Sequence, residues 1–172
     1  MNMDSITREK LLEYIPEYKA FIPEGKRTFT ALDVLEIEGI QAGDRLSIVI
    51  GGGFISPSHL HEFACRCAER ALGRIKDPDP RSAAAIQAKR KWMRGEISDE
   101  EMLDAYTAAE NAALDATDPY KDSACAAASA AQLDGEEAAD WGAEWSACSA
   151  EYEVERAWQV EELKKLLRED EA

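Results

Sequence analysis

The sequence predicts an all-α protein: a single α-helical domain over residues 1–172, with a short-helix N-terminal subregion over residues 1–55 and a helical bundle over residues 56–168 that ends in a long C-terminal helix. Three observations predict it. From Ser56 onward, apolar residues recur at the i, i+3, i+4, i+7 spacing of one helix face. Each such stretch opens on a capping residue and closes on glycine or a proline-containing turn. Seventeen alanines lie between Ala105 and Ala150, interrupted at helical spacing by charged and aromatic side chains. Alanine has the highest helix propensity and the smallest useful core side chain, so this stretch reads as closely packed helices rather than disorder. A chain of 172 residues with 45% hydrophobic side chains has enough apolar material for one core and too little for two.

The elements follow in order. Ser5 to Tyr14 reads as a helix, Pro16 to Ile22 as a short turn or helix, and Thr30 with Asp33 as the cap of a helix ending at Gly39. The stretch "RLSIVIGGGF" is ambiguous, because the Ile48-Val49-Ile50 run favours a strand while no partner strand is evident; a short buried helix or an extended linker is expected. Ser56-Pro57, or Ser58, caps a helix whose apolar face holds Leu60, Phe63, Ala64, Cys67, Ala68, Ala71, Leu72 and Ile75. Asp79 and Pro80 start the next, through Ala85, Ala88 and Trp92, and Gly95 stops it. Ser98 with Glu101 is a capping box opening a third helix through Met102, Tyr106 and Ala113. Asp118-Pro119 repeats the cap-and-proline device before a helix through Ala124 and Ala131 that breaks near Gly135. The last helix is predicted from about Glu136 to Leu167, with an apolar stripe of Ala138, Trp141, Trp145, Cys148 and Tyr152. The final "REDEA" is expected to fray.

Charge narrows the function classes. The net charge is -15, and it is unevenly placed: residues 66–95 hold three acids and nine bases, residues 96–172 twenty-two acids and five bases. Such a field repels nucleic acid and anionic membrane and attracts basic protein surfaces. The basic run made by Arg66, Arg70, Arg74, Lys76, Arg81, Lys89, Arg90, Lys91 and Arg94 is therefore read as one basic pair of helices neutralised by acidic neighbours, not as a nucleic-acid site. No apolar run approaches the roughly 20 residues of a membrane span, and the first residues carry acids where a secretory signal would be basic and then apolar. The expected location is the cytoplasm, with the four cysteines as free thiols.

Candidate chemistry is sparse. "HLHEFACRC", residues 59–67, holds both histidines and two cysteines. His61 and Cys65 are four residues apart and share a helix face, as a pair of metal ligands would. Cys67 falls in the apolar stripe and Cys65 at its edge beside Arg66, and the two sulfurs point about 200° apart, so one ion cannot take both. His59 and His61 are expected on the surface or in the cap, and Cys125 and Cys148 in the core as small hydrophobes. Gly51-Gly52-Gly53 lacks the lysine and hydroxyl of a phosphate loop and reads as a turn. The acids at helix starts need no more than capping and dipole effects to explain them. No catalytic residue, metal ligand or cofactor is expected.

The segment from His61 to Ala113, "HEFACRCAERALGRIKDPDPRSAAAIQAKRKWMRGEISDEEMLDAYTAAENAA", resembles a family of immunity proteins widespread in bacteria and phage genomes. The resemblance rests on a capped Ala- and Cys-rich helix, the Asp79-to-Ser82 turn, Trp92 followed by Gly95-Glu96, and the alanine-rich continuation to about residue 150. The chain departs from the pattern in a long, acidic, Trp-rich final helix. The resemblance implies a small cytoplasmic α-helical protein that blocks another protein.

The function expected is that of a non-enzymatic inhibitor or immunity-type protein whose acidic helical surface engages a basic, nucleic-acid-binding type of face on a target protein. The acids expected to carry it are Glu136, Glu137, Asp140, Glu144, Glu151, Glu153 and Glu155. A sharper form is a phage-encoded anti-CRISPR protein that mimics nucleic acid in the channel of a defence nuclease. The alternative is a metal-binding or enzymatic bundle using His61 and Cys65. The last helix also offers a contact for a homo-oligomer.

Overall fold

A computed structural model of the chain describes residues 5–169. It opens on a feature absent from the sequence reading: β1 (Ile6–Thr7) pairs antiparallel with β2 (Thr28–Phe29), Ile6 opposite Phe29. Thr7 is extended because it caps α1 (Arg8–Tyr14), its hydroxyl accepting from the Lys10 N–H, so this helix begins at Arg8 and not at Ser5. A single 3₁₀ turn over Pro16–Tyr18 leads on to β2. Helix α2 (Ala31–Leu35) carries the predicted reciprocal Thr30–Asp33 capping box but stops short of Gly39, which sits in a turn at φ 89°. The ambiguous stretch is helical: α3 (Ala42–Gly51) buries Leu46, Ile48, Val49 and Ile50. A helix can bury a continuous apolar run when it is covered on several sides.

The bundle follows. Ser56 caps α4 (Pro57–Leu72) and Asp79 caps α5 (Pro80–Met93), each with proline in the first turn, and Gly95 follows α5 at φ 70°. The Ser98–Glu101 capping box opens α6 (Asp99–Asp115). Helix α7 (Lys121–Ala130) starts later than predicted: Asp118-Pro119 lies in a turn, and Tyr120 precedes the first helical residue with no side-chain cap. Asp134 caps α8 (Gly135–Cys148).

The predicted single last helix is two. Helix α8 ends at Cys148, and α9 (Tyr152–Glu169), the longest at 18 residues, begins after a turn at Ser149–Glu151. Arg74 supplies the reason: its guanidinium donates to the Ser146 carbonyl and to the Ser149 hydroxyl, each at 3.2 Å. Carbonyls at the end of α8 are thereby satisfied without a further helical turn. Arg168 and Glu169 remain helical and paired, with Glu36 and Arg66 respectively; residues 170–172 of the predicted fraying end lie outside the described residues.

Helix α4 is the axis. It packs against α5, α7 and α8 through small side chains such as Ala64, Cys65, Ala68 and Ala127, while α6 covers α5 and α7. On its other side lies a larger-grained core in which Phe29, Val34, Leu35, Leu46 and Val49 from the N-terminal elements meet Val160, Leu163 and Leu166 of α9. The fold is all-α with a long C-terminal helix.

Candidate interaction surface

The histidine–cysteine pair is sealed. His61 is buried rather than superficial, its ring edge-on to Trp92 with centroids 5.2 Å apart and its Nδ1 without a hydrogen-bond partner. Burial, reinforced by the nearby Lys89, pushes its pKa down to about 4. Cys65 is also fully buried, not at the edge, and burial drives its thiol up to about 12. Among the described residues no group of three or more His, Cys, Asp or Glu is placed to hold a metal. The remaining cysteines are less buried than expected: Cys125 is half-buried and Cys148 exposed.

The same pocket of packing holds a residue the sequence placed on a basic surface. Lys89 is 0% exposed, its ammonium donating to the Gln132 carbonyl and lying 4.3 Å from the Trp92 ring centroid. Burial lowers its pKa to about 8. Lys89 thus ties α5 to the end of α7, where the chain turns into α8.

The arginines of that run are neutralised from within, as their pattern predicted. Arg66 donates to Glu62, Glu162 and Glu169 at 3.0, 2.7 and 3.0 Å, and Arg90 to Glu62 and Glu69. Arg70 and Arg74 converge on one carboxylate, Glu155, whose other oxygen accepts from the Ser146 hydroxyl at 2.9 Å. The Arg70 guanidinium also lies 4.2 Å from the centre of the Trp158 ring. Glu155 is 1% exposed, so it belongs to this buried ion cluster and cannot face a partner, contrary to the expectation above. Glu144 is half-buried and accepts from Arg156 and from the Tyr152 hydroxyl.

The five other predicted acids are exposed but do not form one patch. Glu136, Glu137 and Asp140 stand on the first turns of α8, whereas Glu151 and Glu153 lie beyond its far end, about 20 Å along the axis. Around the first group is a cleft of about 460 Å³ lined by Ser47, Ile50 and Gly51 of α3 and by Asp134, Glu136, Glu137, Asp140 and Trp141. No cation lines it. Trp141 is 50% exposed at its edge.

Sequence reasoning missed Trp141 as a surface residue because it fell in a stripe of large apolar side chains. The buried face of α8 is instead Ala138, Ala139, Gly142, Ala143, Ser146 and Ala147. Small residues let α8 lie close against α4, with Gly142 directly over Ala64. That small-residue face also has i, i+4 period, and it was the legible signal that Trp141 points outward.

Fold and surface together define a small helical protein whose candidate site is a surface, not an enclosed chemical centre. The chain belongs to the family described as Imm-5 like putative immunity protein, whose profile matches residues 56–166. No curated protein and no solved structure matches it. The match spans the bundle, including α8 and nearly all of α9.

Proposed function

We propose that this immunity-family chain acts in the cytoplasm as a non-enzymatic inhibitor, binding a basic face of a target protein through the acidic patch at the start of α8. One observation carries the reading: a half-exposed tryptophan, Trp141, stands among Glu136, Glu137 and Asp140, and among the described residues none of these acids has an ion-pair partner. Desolvating an aromatic anchor supplies affinity, while the surrounding acids steer and orient the encounter. Inhibition by occlusion is supported by the burial of His61 and Cys65, which leaves that pair no access to a substrate. The apolar Trp141 surface favours a protein face over the phosphate-like track of a nucleic-acid mimic, and salt separates the two. Binding as a mimic falls steeply with ionic strength, whereas binding anchored by Trp141 retains most of its affinity.

The test is capture from the native host on the immobilised full chain and on its E136K/E137K/D140K variant, followed by calorimetry with the captured protein at two salt concentrations. Loss of the partner by the variant, with affinity weakened on the order of tenfold or more, is expected. Equal affinity for both chains removes the reading.

A further inference from the structure

We infer that the acidic patch is one end of a longer furrow over α7 that accepts an amphipathic basic helix of the target. This rests on the reading above and specifies the partner's form. The furrow follows from composition. Helix α7 is made largely of alanine and serine, while α6 and α8, which both pack against it, carry Tyr106, Leu114 and Trp145. Short side chains leave the outer face of α7 lower than its neighbours.

That face is regular. Cys125, Ala128 and Ser129 stand at i, i+3 and i+4 of α7 and, with Gln132 just past the helix end, line a cleft of about 310 Å³. A second cleft, of about 320 Å³, shares Tyr106 and Gln132 with the first and adds Leu103 and Leu133. It shares Asp134 and Glu137 with the cleft beside Trp141, so the three adjoin in series. Leu114 is 80% exposed and Leu103 51%. Single exposed leucines are ordinary, but a series of them along one furrow marks a contact surface.

Charge complementarity selects the occupant. The acids of the rim are Glu110, Asp134 and Glu137, and Lys121 at one end is the one base lining the two clefts over α7. The floor is made of the short side chains of Cys125, Ala128 and Ser129, over about 6 Å of α7, just over one helical turn. A narrow apolar floor between acidic edges matches a helix with an apolar stripe flanked by lysine or arginine.

The probe is a synthetic helix about 15 residues long, four turns, with leucines on one face and lysines elsewhere. It is titrated into the isotope-labelled full chain and followed by amide chemical shifts. Saturable shifts are expected along Tyr106–Leu114 and Cys125–Leu133, with affinity weakened at least tenfold by Cys125→Trp, which fills the floor. The paired surface variant L103S/L114S, whose leucines are exposed and whose fold is expected to survive, should weaken it similarly. Shifts confined to Glu136–Asp140, or equal binding of a lysine peptide of the same charge without leucines, overturn the inference. If L103S/L114S captures the native target as well as the unaltered chain while E136K/E137K/D140K does not, the furrow falls and the acidic-patch reading stands. If E136K/E137K/D140K still captures the target, the acidic-patch reading falls.

Discussion

Where α9 crosses α4, the carboxylates of Glu62, Glu155, Glu162 and Glu169 are held by Arg66, Arg70, Arg74 and Arg90. Where α8 begins, Glu136, Glu137 and Asp140 are left to solvent beside a half-exposed tryptophan. Both regions are acidic in sequence, and both contributed residues to the expected binding surface. The difference is pairing. Carboxylates already held by guanidinium groups are a structural element, and a partner's cation would have to displace a neighbour to reach them. Unpaired carboxylates keep their field, and only they are available for recognition. The net charge of -15 does not distinguish the two regions, whereas the ion-pair map does.

Glu155→Ala breaks the comparison most sharply if it is wrong. Removing the shared carboxylate takes the common counter-ion from two partly exposed arginines and a hydrogen-bond partner from buried Ser146, and a loss of about 2–3 kcal/mol in urea unfolding is expected. Glu136→Ala should stay within about 0.5 kcal/mol of the parent. Equal losses at the two positions would erase the distinction between the faces. On the open face the large effect is in binding: Trp141→Ala should weaken target affinity by about 2 kcal/mol, roughly 30-fold, with thermal stability unchanged.

A smaller effect concerns protons held in the interior between the faces. His61 has a folded pKa of about 4 against an ordinary 6.5, so the folded state binds fewer protons in that window and stability is lost as pH falls from 6.5 toward 4. His61→Phe should flatten this dependence by up to about 1.4 kcal/mol per pH unit. Lys89, at about 8 against 10.5, gives stability that rises as pH climbs from 8 to 10.5, and Lys89→Met should remove that rise. Urea midpoints across the two pH ranges measure both, and an unchanged slope in either variant would show that the group is solvated in the folded chain. Another small effect is expected for Arg94→Ala. Its pair with Glu96 is exposed on both sides, and a change of no more than about 1 kcal/mol should separate it from the buried cluster at Glu155.

What was legible in the sequence was local. Ser56, Thr30, Asp79 and Ser98 cap the helices they were expected to cap, because a cap is a bond between residues two or three apart. Features fixed by distant partners were not legible. The break between α8 and α9 depends on Arg74, more than seventy residues upstream. Glu155 is buried because Arg70 and Arg74 reach it from another helix. The outward position of Trp141 was legible only in the i, i+4 repeat of small residues on α8, because the stripe of large apolar side chains pointed the other way. Of the seven acids expected at the site, three share the open patch around Trp141.

The turn at Ser149–Glu151 has a consequence for how the protein is made. It sends α9 back across α4 to finish a core that Leu11, Phe29 and Leu46 begin, so these elements wait for a helix made more than a hundred residues later. At about 5–20 residues per second, the N-terminal layer stays uncovered for several seconds or more while the intervening helices are synthesised. Helices α4 to α8 have most of their contacts with one another and can close before α9 is translated. Nascent chains paused within α9 should therefore present a folded bundle with an unfinished N-terminal layer, and that layer is where a chaperone would bind.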